Sequence, residues 1–293
     1  MSETLEGTIL LATDGSDDAT TAARAAADIS AQEGVALHVV HAWHEPAGLL
    51  PAPIPARLFE QDARRVLDKE AARLADGGTE VAGTHLVKDY PVDAILGLAD
   101  ELGAGLIVVG SRGRGPVKRL LLGSVSEGVV HHARVPVLVA RGGAEAWPPG
   151  RVVIGDDGSD AARAAGDLAI RLGGLFETSS VLVRAVPEPV LPMQLPEYEQ
   201  DLHDRLIEDS RRLGEKALRE RATELGEARS ETRLATGDAT LAVLGVAADD
   251  PSTLVAVGSR GLGGTKRMLL GSVSTKLLRM TKGPVLVYPR PAG

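Results

Sequence analysis

Cysteine is absent from the 293 residues, which excludes disulfides, thiolate nucleophiles and cysteine-ligated zinc. Aromatic side chains make up only 2%, so any core must be aliphatic, and the stacking platforms that hold single-stranded nucleic acid have almost nothing to be built from. A basic excess is missing as well. The net charge is −8, the wrong sign for a polyanion binder. Neither part of the chain escapes this: positions 1–140 carry 12 basic and 19 acidic side chains, and positions 151–293 carry 19 and 20. No apolar run approaches the ~18 residues of a membrane span, and the opening MSETLEGTILLATDGS places no basic segment ahead of an apolar one. The expectation is a cytoplasmic protein that binds neither nucleic acid nor membrane.

What is present is globular and duplicated. Hydrophobic residues make up 44% and charged residues 25%, values of an ordinary folded chain, and the length suits two domains. GSRGRGPVKRLLLGSVS, from Gly110 to Ser126, returns as GSRGLGGTKRMLLGSVS from Gly258 to Ser274, and TILLATDGSDDA near the start returns as RVVIGDDGSDAA from Arg151. A period this long indicates duplicated domains rather than a solenoid of short repeats. The expected division is a first domain over 1–140, a linker over 141–150 where RGGAEAWPPG crowds Gly and Pro together, and a second domain over 151–293.

Short apolar, β-branched runs predict strands at Thr8 to Ala12, Val35 to His41, Val81 to Lys88, Leu106 to Gly110 and Pro136 to Ala140. Helical stretches lie between them: Asp17 to Ala31, Arg57 to Ala75, Pro91 to Leu102 and Gly123 to Ala133. The second copy repeats the pattern, with strands near Val152 to Gly155, Val181 to Val186, Ser230 to Ala235, Leu254 to Gly258 and Pro284 to Tyr288. Strands that are apolar throughout, alternating with helices, imply a parallel sheet covered on both faces. The fold class is therefore two tandem open α/β domains. The charged faces of the long helices at Arg57 to Ala75 and Glu197 to Leu225 read as solvated.

Ligands of open α/β sheets bind outside the carboxyl ends of the strands. The segments leaving the first and fourth strands are ATDGS and GSRGRG, the two that recur. Gly110 and Gly113 are expected to turn with φ > 0 and to admit a ligand close to the backbone, while Gly123, Ser124, Val125 and Ser126 open a helix whose free amides favour an anion. Arg112, Arg114, Lys118 and Arg119, matched by Arg260, Lys266 and Arg267, add positive charge. A di- or triphosphate fits this chemistry. Glycine loops also occur without ligands, and Asp14 and Asp157 also suit helix caps. His41, at the end of a strand, reads as a core residue before it reads as a catalyst. His131 with His132, and His44 beside Glu45, are discounted as metal ligands because neighbouring positions do not share a helical face. The proline-rich loops HEPAGLLPAPIPARL and PEPVLPMQLPEY lie beside the candidate site, as lids, partner-binding segments or plain surface loops.

The spacing Gly, two residues, Gly, nine residues, Gly-Ser resembles the nucleotide-binding motif of the universal stress protein family. Gly110, Gly113, Gly123 and Ser124 fit it, as do Gly258, Gly261, Gly271 and Ser272, and the likeness extends to DGS after the first strand and to VPVLV and GPVLV at the last. The resemblance implies a tandem member of the ATP-binding subclass, with Rossmann-like five-stranded sheets of strand order 3-2-1-4-5. It implies Asp14 and Asp157 near the ribose and adenine, Ala12 and Gly155 beside the base, Ala42 and Ala185 meeting adenine through their backbone, and Val125, Ser126, Val273 and Ser274 completing the phosphate contacts. ATP with Mg²⁺ is the implied cofactor. The family's last strands pair between domains, which a tandem chain can satisfy internally as a pseudo-dimer; a homodimer of whole chains and an unidentified protein partner stay open.

The copies differ. The second carries Asp156 beside Asp157, an added carboxylate that costs triphosphate affinity unless an ion bridges it, and it lacks the counterpart of Pro91. The leading function is an ATP-binding stress-response module in which occupancy of the two sites is a regulatory or protective switch. A slow ATPase or phosphotransferase is the alternative, although the chain has no Walker loop and no kinase signature set. A structural module with vestigial loops is the third reading.

Overall fold

A computed structural model describes residues 5–45, 55–113, 122–188, 197–226, 230–261 and 270–289, with the side chains of 197–203 excepted. In the first half, β1 (Thr8–Ala12), β2 (Leu37–Trp43), β3 (Gly83–Lys88), β4 (Ala104–Gly110) and β5 (Val137–Ala140) alternate with α1 (Asp17–Glu33), α2 (Ala56–Asp76), α3 (Pro91–Glu101) and α4 (Ser124–His132). The second half repeats this with β6 (Arg151–Gly155), β7 (Ser179–Val186), β8 (Ser230–Thr236), β9 (Thr253–Gly258) and β10 (Val285–Tyr288), and with α5 (Asp160–Leu175), α6 (Glu197–Glu224), α7 (Ala239–Ala247) and α8 (Ser272–Met280). Arg114, Lys118, Arg119, Lys266 and Arg267, and most of both proline-rich loops, lie outside the described residues.

The ten strands form one sheet, in the order β3-β2-β1-β4-β5-β10-β9-β6-β7-β8. Each half is parallel and has the order 3-2-1-4-5, the second mirrored against the first. The seam is antiparallel, with Val285 opposite Val139, Leu286 opposite Leu138 and Val287 opposite Val137. Pairing β5 with β10 removes the edge that each half would otherwise present at its last strand. The internal pseudo-dimer is thus a continuous backbone ladder.

Side chains alternate along each strand, so the sheet has two apolar faces. One packs against α1, α2, α5 and α6 through Leu11, Val39, Leu67, Leu172 and Leu218; the other packs against α3, α4, α7 and α8 through Leu10, Val40, Ile95, Val243 and Leu277. The segment read as a linker belongs to the first of these cores. Trp147 is 1% exposed, meets Phe176 edge to face, and donates its indole N–H to Asp28 (3.1 Å).

The long helices are not solvated on every charged position. Glu70 of α2 is buried, where it takes a hydrogen bond from Thr13 (3.3 Å) and pairs with Arg73. Arg221 of α6 is buried and reaches Asp167 (2.7 Å) and Glu224 (3.0 Å). Charges this deep are kept because each has a partner.

Candidate nucleotide site

Both DGS turns are built by their own side chains. Asp14 Oδ1 accepts the Ser16 amide (3.0 Å), Gly15 takes the left-handed φ of 73° that closes the turn, and Ser16 Oγ accepts the Ala19 amide (3.2 Å) as the cap of α1. Asp157, Gly158 and Ser159 do the same at the start of α5. The caps are therefore the serines, which have the short hydroxyl reach that the position favours. The aspartates stand two residues earlier. Each serine also donates to the neighbouring glycine loop, Ser16 to Arg112 O (3.0 Å) and Ser159 to Arg260 O (3.3 Å), so the two recurring motifs form one structure.

The loop glycines are needed for closeness rather than for an unusual backbone angle. Gly110, Gly113 and Gly123 are not among the described glycines with positive φ. A Cβ on Gly110 would lie 2.7 Å from the Ala19 amide nitrogen, where α1 starts over the end of β4, and one on Gly113 would strike Asp14 Oδ2. Gly258 and Gly261 face the same contacts with Ala162 and Asp157. Ser126 Oγ donates to Gly110 O (2.6 Å) and Ser274 Oγ to Gly258 O (2.7 Å), which fastens α4 and α8 to their strands. The first amides in the helical ladders are those of Glu127 and Thr275, bonded to Gly123 O and Gly271 O. The amides of 124–126 and 272–274 thus lie ahead of the ladder, at the positive end of each helix.

These pieces enclose two cavities. The first, of about 310 Å³, is lined by Ala12, Asp14, Ala42, Gly110, Arg112, Gly113, Gly123, Ser124, Val125 and Ser126, together with Thr13, Val40, His41, Pro91, Ile95 and Val109. The second, of about 440 Å³, gathers Gly155, Asp157, Ala185, Gly258, Arg260, Gly261, Gly271, Ser272, Val273 and Ser274 with Asp156, Val183, Ala239, Val243 and Val257. The candidate glycines, serines, aspartates, Arg112 and Arg260, with Ala12, Ala42, Val125, Ala185 and Val273, lie on one wall or the other. Both volumes fall in the ordinary range of about 300–1,000 Å³ for small-molecule sites. Each cavity has an apolar part, Val40 with Ile95 and Val109 or Val183 with Val243 and Val257, and a part made of an arginine, a serine and helix-end amides. A planar base joined to a polyphosphate has the same division.

Two partners missed by sequence reasoning, Arg184 and Thr13, explain how the copies differ. Asp156 is 5% exposed and paired by Arg184 (Nε to Oδ2, 2.9 Å), so the added carboxylate is neutralised from within and is not a bare charge facing the cavity. The corresponding places in the first copy are Thr13 and His41, where the imidazole Nδ1 bonds the Thr13 carbonyl (2.7 Å). A histidine–carbonyl hydrogen bond in one copy is an ion pair in the other. Reading the two repeats together, position against position, shows this joint change; either repeat alone does not.

The Universal stress protein family matches this chain twice, over residues 7–141 and 149–289. A universal stress protein of Mycobacterium tuberculosis is 31% identical over 296 residues, covering 95% of both chains. One of Thermus aquaticus is 40% identical over 138 residues, which is 46% of this chain and 98% of that one. Among solved structures, a universal stress protein of Archaeoglobus fulgidus superposes with a TM-score of 0.66 at 23% identity, over 97% of this chain and 96% of the other, a likeness of fold.

Proposed function

The chain belongs to the universal stress protein family, and from that premise we propose that each half is a nucleotide-binding domain for Mg-ATP whose occupancy acts as a regulatory or protective switch in a stress response. One observation carries the reading: in both halves the DGS turn, the glycine loop and a helix N-terminus surround a cavity with an apolar part and an anion-binding part. Val40, Ile95 and Val109 would hold the base; Arg112, Ser124 and the amides of 124–126 would hold the phosphates, with Arg260, Ser272 and the amides of 272–274 in the second site. Asp14 and Asp157 keep one carboxylate oxygen on the turn and would meet the ribose with the other.

The test begins with protein as it comes from cells, denatured so that released nucleotide can be identified and counted. About two ATP per chain is expected. ADP in its place favours hydrolysis, and a protein that carries no nucleotide and takes up no added Mg-ATP overturns the proposal. Asp14→Ala is expected to weaken binding modestly at the first site. Unchanged affinity with a lowered melting temperature would reduce Asp14 to a turn residue.

A further inference from the structure

The last carbonyls of α8 are held from the other half of the molecule. Arg141, the first residue past β5, is 8% exposed, and its guanidinium donates to Thr281 O (2.8 Å) and Leu278 O. Those carbonyls end the nine-residue helix whose first turn lines the second cavity. On its own side Arg141 follows Ala140, whose carbonyl accepts the Ser111 amide (2.7 Å) where β4 leads into the first glycine loop.

Two charges beside the first cavity act on this guanidinium. The Arg141 pKa is lowered to about 10, chiefly by burial, with the Asp18 carboxylate opposing the shift and Arg112 adding to it. Asp18 is itself engaged, accepting from Ser111 Oγ (2.6 Å) and from Arg112 Nε (3.1 Å). The Arg141 Nε–H is buried and has no acceptor among the described residues, an expensive state for a charged group. One carboxylate therefore acts on two arginines: it bonds Arg112, which lines the first cavity, and through Ser111 and Ala140 it lies near Arg141, which holds the far helix. Among the described residues the link is not duplicated: the residue following β10 is Pro289, whose side chain donates nothing.

We propose that Arg141 couples the two sites: an anionic nucleotide at the first draws Arg112 from Asp18 onto its phosphates, Asp18 turns to the Arg141 Nε–H, and the firmer hold on α8 tightens the second site. The inference rests on the nucleotide reading above. A cation at the end of a helix and an anion at its start both favour the helix dipole, so a better-held C-terminus for α8 favours phosphate at its N-terminus. By linkage the second site tightens the first by the same factor, and couplings of this kind begin at about 5-fold.

The test is calorimetric titration of the full chain with Mg-ATP, in the wild type and in Ser124→Leu, whose uncharged bulk on the exposed first turn of α4 blocks the first site without placing an anion beside Arg112. The second site is expected to bind about 5-fold more weakly in Ser124→Leu than in wild type with the first site filled. Arg141→Gln is expected to erase that difference. Asp18→Asn is expected to erase it too, and this near-isosteric change serves if the buried Arg141 variant does not fold. Two wild-type sites that fill independently, or an Asp18→Asn chain that keeps the difference, overturn the coupling while leaving the nucleotide reading standing. Binding at neither site overturns both.

Discussion

A methyl group at position 113 would have to occupy space already filled by the Asp14 carboxylate. Gly113→Ala is therefore expected to cost about 1–3 kcal/mol of stability, the usual range for overpacking, and to weaken nucleotide binding at the first site. Gly97 provides the control. It lies inside α3, and a Cβ there meets nothing within 4 Å, so Gly97→Ala should gain about 0.5–1 kcal/mol through its better helix propensity. Urea denaturation and Mg-ATP titration of the two variants check both signs, and equal effects would show that the Asp14 contact does not constrain the loop. The requirement for glycine at 113 was legible as a motif position. Its cause was not, because the obstructing carboxylate comes from a different loop.

Elements at corresponding places are started by different chemistry. α3 opens with Pro91 at its first turn, which fixes φ and has no amide to leave unpaired. α7 has no proline, and Asp238 caps it by accepting the amides of Thr240 (2.7 Å) and Leu241 (3.0 Å). The Leu241 amide, above all, holds the Asp238 carboxyl below its ordinary 3.8, with help from Thr240 and Lys276. The sign follows from linkage: the charged form is favoured in the folded state, so its contribution is complete above 3.8 and is lost as pH falls through the lower folded value. Asp238→Ala should lower the urea midpoint at neutral pH, and the gap to wild type should close on acidification. A gap that stays constant with pH would show that the carboxylate charge plays no part in the cap. The sequence comparison of KDYPVDAI with TGDATLAV showed that the proline was missing. It did not show that an aspartate one position earlier takes over the task.

At the scale of the whole molecule, the halves are joined by the antiparallel β5–β10 ladder and by a deep ion pair beneath it. Glu33 at the end of α1 accepts from both Nε (2.6 Å) and a terminal nitrogen of Arg171 on α5, and the two side chains are 3% and 18% exposed. Removing one partner leaves a buried charge uncompensated, so Glu33→Leu or Arg171→Met alone should cost about 3–5 kcal/mol. The double variant should recover most of that loss, since an apolar pair of similar volume avoids the desolvation cost. Thermal or urea unfolding of the four proteins of this cycle measures the coupling; additive losses would show that the two side chains do not act as a pair.

The sequence by itself determined the ten strands, the helices between them, the duplication, and the motif residues on the cavity walls. Apolar periodicity, turn chemistry and motif spacing act over a few residues, and the strand ends of an open parallel sheet bring such motifs together whatever the details. Boundaries moved by a few residues, as where β2 starts at Leu37 and β4 at Ala104. The tertiary structure alone decided which charges already have partners. Asp156 with Arg184, Glu70 behind Thr13, Glu33 with Arg171, and Arg141 on the last turn of α8 are far apart in the chain. An electrostatic partner is fixed by distance and burial, and for residues on different strands, helices and halves those exist only once the sheet is closed across its seam.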